Sequence, residues 1–286
     1  MNKKVIITSD STTDLSKELI ERYNVKIMPL CITLGDKTYT DGIDINPDLI
    51  YEHYAKTGTL PKTSATNMSD CIDFFKPLVD EGYAIVHFTI SSEMSSTFNN
   101  ARMAAEEFED VYVVDTKNLS TGGGLLVVSA GELANQGKSA SEIYEACNEI
   151  ATRIDASFVI DNLEFLYKGG RCSAVAAFGA NLLKLKPCIA VRDGKMDVLK
   201  KYRGKFGAVT IQYIKEQLAD IDDIELDRVF VTHAGCDEEI VNDCVNTVKE
   251  IAPFKEVFLT RAGCAVSSHC GRDTLGVLFI RKTPLV

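Results

Sequence analysis

One ten-residue stretch constrains the fold of this chain more than any other. It is Ser91-Ser-Glu-Met-Ser-Ser-Thr-Phe-Asn-Asn100, in which seven residues are Ser, Thr or Asn. Ahead of it, Tyr83-Ala-Ile-Val-His-Phe-Thr-Ile90 reads as a buried strand, and after it Ala101-Arg-Met-Ala-Ala-Glu-Glu-Phe108 reads as a helix. A strand, a polar turn and a helix in that order form the repeating unit of α/β folds. The turn also has a chemical consequence. A helix N-terminus carries free backbone N–H groups and the positive end of the helix dipole, so it accepts an anion with little help from basic side chains. Capping a helix needs one hydroxyl, and this turn offers five.

The rest of the first half repeats the pattern. Lys4–Thr8 predicts a strand, Ser9-Asp-Ser-Thr-Thr-Asp14 a polar turn with Asp14 or Ser16 as cap, and Leu15–Tyr23 an amphipathic helix. Val25–Leu34 and Lys37–Thr40 predict a hairpin over Gly35-Asp36. Asn46-Pro47-Asp48 opens a helix, and Thr63-Ser64-Ala-Thr66-Asn67 is a further polar cluster before a helix from Ser69 to Asp80. Val111–Asp115 is a short buried strand. The run Gly122-Gly-Gly124 after it lacks the Lys-Ser/Thr of a phosphate-binding loop and instead suits close packing of a helix from Leu125 to Gln136. Ser139-Ala-Ser-Glu142 is a capping box. This alternation predicts a mainly parallel, doubly wound sheet.

Beyond residue 155 the order changes. Ser157–Ile160 is a strand, Ser173–Leu183 an apolar helix, and Cys188–Val191 with Met196–Tyr202 a hairpin over Asp193-Gly194. Helices at Phe206–Leu218 and Glu238–Ile251 and strands at Arg228–Thr232, Glu256–Thr260 and Leu275–Arg281 predict a mixed sheet. The expected architecture is therefore two α/β domains, 1–155 and 156–286, with a ligand between them. Three polar turns, 9–14, 63–67 and 91–97, are expected at the strand C-termini, where open α/β sheets bind ligands.

Composition narrows the partners. The net charge is -10 and no basic stripe is present, which argues against nucleic acid and anionic membranes. No apolar run reaches the ~18 residues of a membrane span, and Met1-Asn-Lys-Lys-Val-Ile-Ile predicts no secretory leader. The nine cysteines are scattered without a Cys-x-x-Cys pair. They read as small apolar residues of a cytoplasmic protein, Cys31 and Cys188 in strands and Cys71, Cys147 and Cys244 in helices. Cys264, His269 and Cys270 fit no zinc spacing. Neither a metal nor a cofactor is expected.

Several segments together resemble the DegV family. They are Thr8-Ser-Asp-Ser-Thr12, Tyr39-Thr-Asp-Gly42, Lys62-Thr-Ser64, Ile90-Ser-Ser-x-x-Ser-Ser-Thr97, Val114-Asp-Thr116, Leu166-Tyr-Lys-Gly-Gly-Arg171, Lys186-Pro187 and Ser268-His-Cys-Gly271, in the order seen in that family. The resemblance implies a bacterial fatty-acid-binding protein that is not itself an enzyme. It further implies that some members are the acyl-carrying subunit of a fatty acid kinase, whose partner phosphorylates the bound carboxylate, a step of phospholipid metabolism. By the same resemblance Thr63 and Ser95 hold the carboxylate with Ser64 and Ser96 beside them, while Arg203, His269 and Arg171 face the head group or the partner. The chain departs from the family at Ala65-Thr66 in place of Gln-Pro, at Ser96 in place of glycine, and at Arg272-Asp273 in place of Pro-Gly. Ala174–Leu183 would line the acyl tunnel.

One enzyme reading competes. The Ser91–Thr97 turn is also similar to the phosphate cradle of sugar isomerase domains, which need a general base. Glu93 and His87 are the nearby candidates, although His87, in mid-strand, reads as a core histidine.

Overall fold

A computed structural model of the protein describes residues 3–173, 175 and 185–285. In chain order its first strands are β1 (Lys4–Asp10), β2 (Lys26–Met28), β3 (Cys31–Leu34), β4 (Lys37–Thr40), β5 (Lys62–Ser64), β6 (Tyr83–Thr89) and β7 (Val111–Asp115). The later strands are β8 (Ile154–Ile160), β9 (Lys186–Arg192), β10 (Lys195–Tyr202), β11 (Ile224–Ala234), β12 (Glu256–Arg261) and β13 (Thr274–Arg281). The helices are α1 (Lys17–Arg22), α2 (Pro47–Thr57), α3 (Met68–Asp80), α4 (Thr97–Ala105), α5 (Thr121–Asn135), α6 (Ala140–Ala151) and α7 (Glu164–Gly169). After them come α8 (Phe206–Gln217), α9 (Glu238–Ile251) and α10 (Cys264–Cys270).

Three sheets form among these residues. The first, β2-β1-β6-β7, is wholly parallel, as the alternation of strands and helices requires. The second, β10-β9-β8-β13-β11-β12, is mixed, with one parallel pair at β11–β12. A small antiparallel sheet, β4-β3-β5, stands apart from both. The chain is thus an α/β protein with a parallel and a mixed sheet, as expected. Among the described residues no helix is long and apolar enough to cross a membrane.

Helix α5 lies between the two large sheets. Every residue from Thr121 to Gly131 is buried, so this helix has no solvent face along its first three turns. A single apolar cluster joins Ile7, Val86 and Phe88 of the first sheet to Leu125–Val128 of α5 and to Ala156, Phe158 and Ile280 of the second. Fully burying a side chain such as Leu125 or Leu126 contributes about 1.5–3 kcal/mol, so α5 is a main source of cohesion between the layers. Hydroxyls add a polar seam. Thr121 Oγ1 lies 2.6 Å from Thr232 Oγ1, which lies 2.8 Å from Thr260 Oγ1. The glycine run permits this approach. A Cβ on Gly124 would stand 2.9 Å from the Thr13 carbonyl oxygen, and one on Gly122 2.1 Å from Asn118 Oδ1.

The structure corrects several sequence expectations. Val25–Leu34 is not one strand: Pro29, with no N–H to donate, separates β2 in the parallel sheet from β3 in the small one. The glycines expected ahead of a helix starting at Leu125 lie in the first turn of α5, because packing between two sheets outweighs their low helix propensity. Residues 62–64 form a strand rather than a turn, and α4 begins at Thr97, within the hydroxyl-rich turn. Cys31 is exposed, since alternation along β3 turns it to solvent and Ile32 to the core. Helix α10 was not foreseen. Apart from Val175, the segment Ala174–Leu183 lies outside the described residues.

Gly124→Ala should destabilise the protein by about 1–3 kcal/mol in denaturant unfolding, the usual cost of overpacking. At an exposed helical position the same change would stabilise.

Candidate functional site

The hydroxyl-rich turn and its neighbours are fixed by aspartates placed at strand ends. Asp10, the last residue of β1, accepts from Thr12 N at 3.0 Å and Thr12 Oγ1 at 2.6 Å, and across the sheet from Ile90 N at 2.8 Å. Asp115, the last residue of β7, accepts from Ser92 N at 3.2 Å and Ser92 Oγ at 2.5 Å. Ser91 Oγ donates to the Gly194 carbonyl of the β9–β10 hairpin at 2.7 Å. Two of the five hydroxyls therefore hold the turn itself in place. Ser95 and Ser96 are left facing a cavity, and Thr97 is buried behind them.

A second set of carboxylates positions α10. Asp41, from the loop after β4, accepts from Cys264 N at 3.0 Å, Ala265 N at 3.2 Å and Ser11 Oγ at 2.8 Å. Asp14 accepts from Gly263 N at 2.8 Å and Ser120 Oγ at 2.5 Å. These two acids accept from the N–H groups that start the helix. At the other end of α10, His269 Nε2 lies 2.9 Å from Thr63 Oγ1 on β5. Asn100 Nδ2 of α4 donates to the Thr66 carbonyl at 2.7 Å, which ties the segment following β5 to the hydroxyl-rich turn.

The result is a cavity of about 320 Å³ walled by both halves of the chain. Thr63, Ser64, Ser95 and Ser96 line it together with the apolar Leu30, Ile90, Met94, Leu119, Met196 and Val266. Leu119, Val266 and Cys270 also border a smaller apolar chamber of about 30 Å³ that reaches Phe158 and Leu278. Arg171 is exposed, contributes to the wall and donates from Nη1 to the Gly169 carbonyl at 2.7 Å. Neutral hydroxyls beside aliphatic side chains suit an amphiphile whose polar group is an acceptor.

Burial, with Arg171 adding to it, lowers His269 to a pKa of about 4, so the ring is neutral at physiological pH. Among the described residues its Nδ1 is buried without a partner. A bare acceptor there costs less than an orphaned N–H, so the proton belongs on Nε2. Nε2–H then donates to Thr63 Oγ1, and the Thr63 proton is free for the cavity. Among the described residues no group of His, Cys, Asp and Glu side chains is placed to hold a metal ion.

The sequence candidates are distributed as follows. Thr63, Ser64, Ser95, Ser96, Arg171 and His269 meet at the cavity. His269 is half-buried, lines the cavity and contacts Thr63. Arg203 is not on the cavity wall. It follows β10 at the end opposite Met196, and six residues of strand separate the two. The candidate bases of the isomerase reading also stand elsewhere. Glu93 pairs with Lys195 at 3.3 Å, and His87, in the core, contacts Thr8 Oγ1 at 2.8 Å with burial lowering its pKa to about 3. Asp41 and Asp14 were missed as organisers of the site. Asp41 meets its helix 223 residues away in sequence, and no local pattern signals that.

Comparison with known proteins places these features in context. The description "Uncharacterised protein, DegV family" matches residues 4–282. A DegV domain-containing protein of Staphylococcus aureus is 32% identical over 99% of this chain and 100% of its own. The solved structure of a fatty-acid-binding DegV family protein from Thermus thermophilus superposes with a TM-score of 0.90 at 28% identity, covering 98% of this chain and 100% of that one. A stearic-acid-binding protein from Eubacterium ventriosum gives 0.84 at 26% identity, covering 97% and 98%.

The buried acids make a testable demand. Burial raises Asp14 to about 8 against the opposing hydrogen bonds, and Asp10 to about 6. In the unfolded chain both titrate near 3.9. Between those values the folded protein holds a proton that the unfolded chain has lost, so their contribution to stability is full at low pH and declines as pH rises. The histidines oppose this trend, since unfolded imidazoles titrate near 6.5 while burial holds His87 and His269 neutral in the fold. The contribution of Asp14 itself should therefore fall as pH rises toward 8, by at most about 1.4 kcal/mol per unit, and is read as the difference in slope between the wild type and a variant without the acid. Asp14→Asn, measured by denaturant titration, should remove that fall.

Proposed function

This chain belongs to the DegV family, and from that membership and the chemistry of its cavity we propose that it binds a long-chain fatty acid, with the carboxylate held by Thr63 and Ser95. The observation that carries the reading is one cavity in which two hydroxyl donors from different elements stand beside a continuous aliphatic wall. Solved relatives described as fatty-acid-binding support it. The carboxylate lies against Thr63, Ser95 and the start of α4, with Ser64 and Ser96 at the edge. The chain runs inward past Leu119 and Val266 toward the apolar chamber.

The energetics agree. Each buried methylene contributes about 0.8 kcal/mol, so about 15 of them give roughly 12 kcal/mol gross, well above an association cost of several kcal/mol. The tail supplies the affinity, and the head group has only to be satisfied. A buried carboxylate without donors would be prohibitive, and neutral hydroxyls with backbone N–H groups supply them.

In this reading the protein is a cytoplasmic carrier that presents the carboxylate to a partner kinase for conversion to an acyl-phosphate. Three features support a non-catalytic role. His269 is neutral and engaged with Thr63, the candidate bases lie off the cavity, and exposed Arg171 brings positive charge to the wall without closing it. The division near residue 155 fits this role, since the parallel sheet precedes it, the mixed sheet follows, and the ligand lies between.

Native mass spectrometry of the purified protein should reveal an acyl-sized adduct. Thr63→Ala and Ser95→Ala should each weaken palmitate binding by at least tenfold, in line with ~1.5–3 kcal/mol for a hydrogen bond to a charged group. An unchanged lipid load in the double variant would remove both residues from the site, and a bound sugar phosphate would restore the isomerase reading.

A further inference from the structure

Ser95 and Thr97 share more than their place in one turn. Thr97 is fully buried, and its backbone N–H donates to Ser95 Oγ at 3.2 Å. Its hydroxyl lies 2.9 Å from the same Ser95 oxygen. A buried hydroxyl must place its proton on an acceptor, and Ser95 Oγ is the one recorded within reach of Thr97 Oγ1. With the Thr97 N–H and O–H both directed at it, the Ser95 oxygen has its two lone pairs filled. Ser95's own proton then points into the cavity that Ser95 lines. Ser96, next in sequence, is exposed and makes no capping bond, so this arrangement belongs to the Ser95–Thr97 pair alone.

We infer that Thr97 is a positioning residue which turns Ser95 into a donor only, so that the cavity selects acceptor-only head groups, carboxylates, over head groups that must donate, such as alcohols. This rests on the fatty-acid reading above and adds the source of its head-group selectivity. An ionised carboxylate offers lone pairs and no proton, which matches a site whose hydroxyls present protons. A long-chain alcohol in the same place has a proton that Ser95 cannot accept. Thr97 never touches the ligand and acts through the Ser95 hydroxyl.

The test uses the full-length protein and two probes with the same tail, palmitate and hexadecanol, with both Kd values measured by calorimetry. Wild-type protein should bind palmitate with a clear preference. Thr97→Val keeps the shape and the backbone N–H but frees a Ser95 lone pair, and the palmitate-to-hexadecanol preference should fall at least about tenfold. Thr97→Ser should restore it. In a Ser95→Ala background the Thr97→Val change should leave the preference unaltered, because nothing remains for Thr97 to orient. A purely structural role would weaken both probes alike, and equal loss for the two would overturn the inference. So would an unchanged preference in Thr97→Val. If the valine variant fails to fold, Thr97→Ala removes the same hydroxyl and is read by the same ratio. Absence of palmitate binding in the wild type would instead defeat the fatty-acid reading itself.

Discussion

The polar centre of this protein depends on buried carboxylates answered by N–H and O–H groups. Asp10 ties the end of β1 to the end of β6, while Asp14 and Asp41 hold the start of α10 from two other segments. Burying a polar group costs free energy unless its hydrogen-bonding atoms are satisfied. Here backbone N–H groups satisfy them, and those groups move only with the chain that carries them. The acids therefore fix loops rather than side chains. The cavity between them is lined by residues whose backbones are held on more than one side.

Helix α5 does for the apolar interior what the aspartates do for the polar centre. It faces the first sheet on one side and the second on the other, so its side chains and glycines must fit two surfaces at once. Interiors packed this densely respond to one methyl group. The position of the mixed sheet relative to the parallel one, and with it the meeting of Ser95 with His269 and Thr63, follows from that fit.

Much of this was legible in the sequence where the signal is local. The strand 83–89, the cap at Asn46, the capping box at Ser139 and the hairpins over Gly35 and Gly194 all appear where turn and cap chemistry puts them. The hydroxyl excess of the Ser91–Thr97 turn is shared out among different contacts. Ser91 and Ser92 hold the turn, Ser95 faces the cavity, and the Thr97 hydroxyl lies against Ser95. Non-local features could not be read. Pro29 splits a strand because two sheets compete for its flanks, and Gly122–Gly124 are helical only because sheets press on both sides. Helix α10 is short and holds its place through Asp14 and Asp41, residues that carry no mark of their partner.

That last dependence orders the protein's birth. Hydroxyls of residues 63 and 95 leave the ribosome early, but Asp41 has nothing to cap and Thr63 no imidazole donor until residues 263–269 have been made. Contacts at such sequence separation form late, since the loop they close is long. A nascent chain can build its parallel sheet before its cavity is complete. Closure of the cavity is thereby coupled to completion of the second half, and a partly synthesised chain lacks one of its walls.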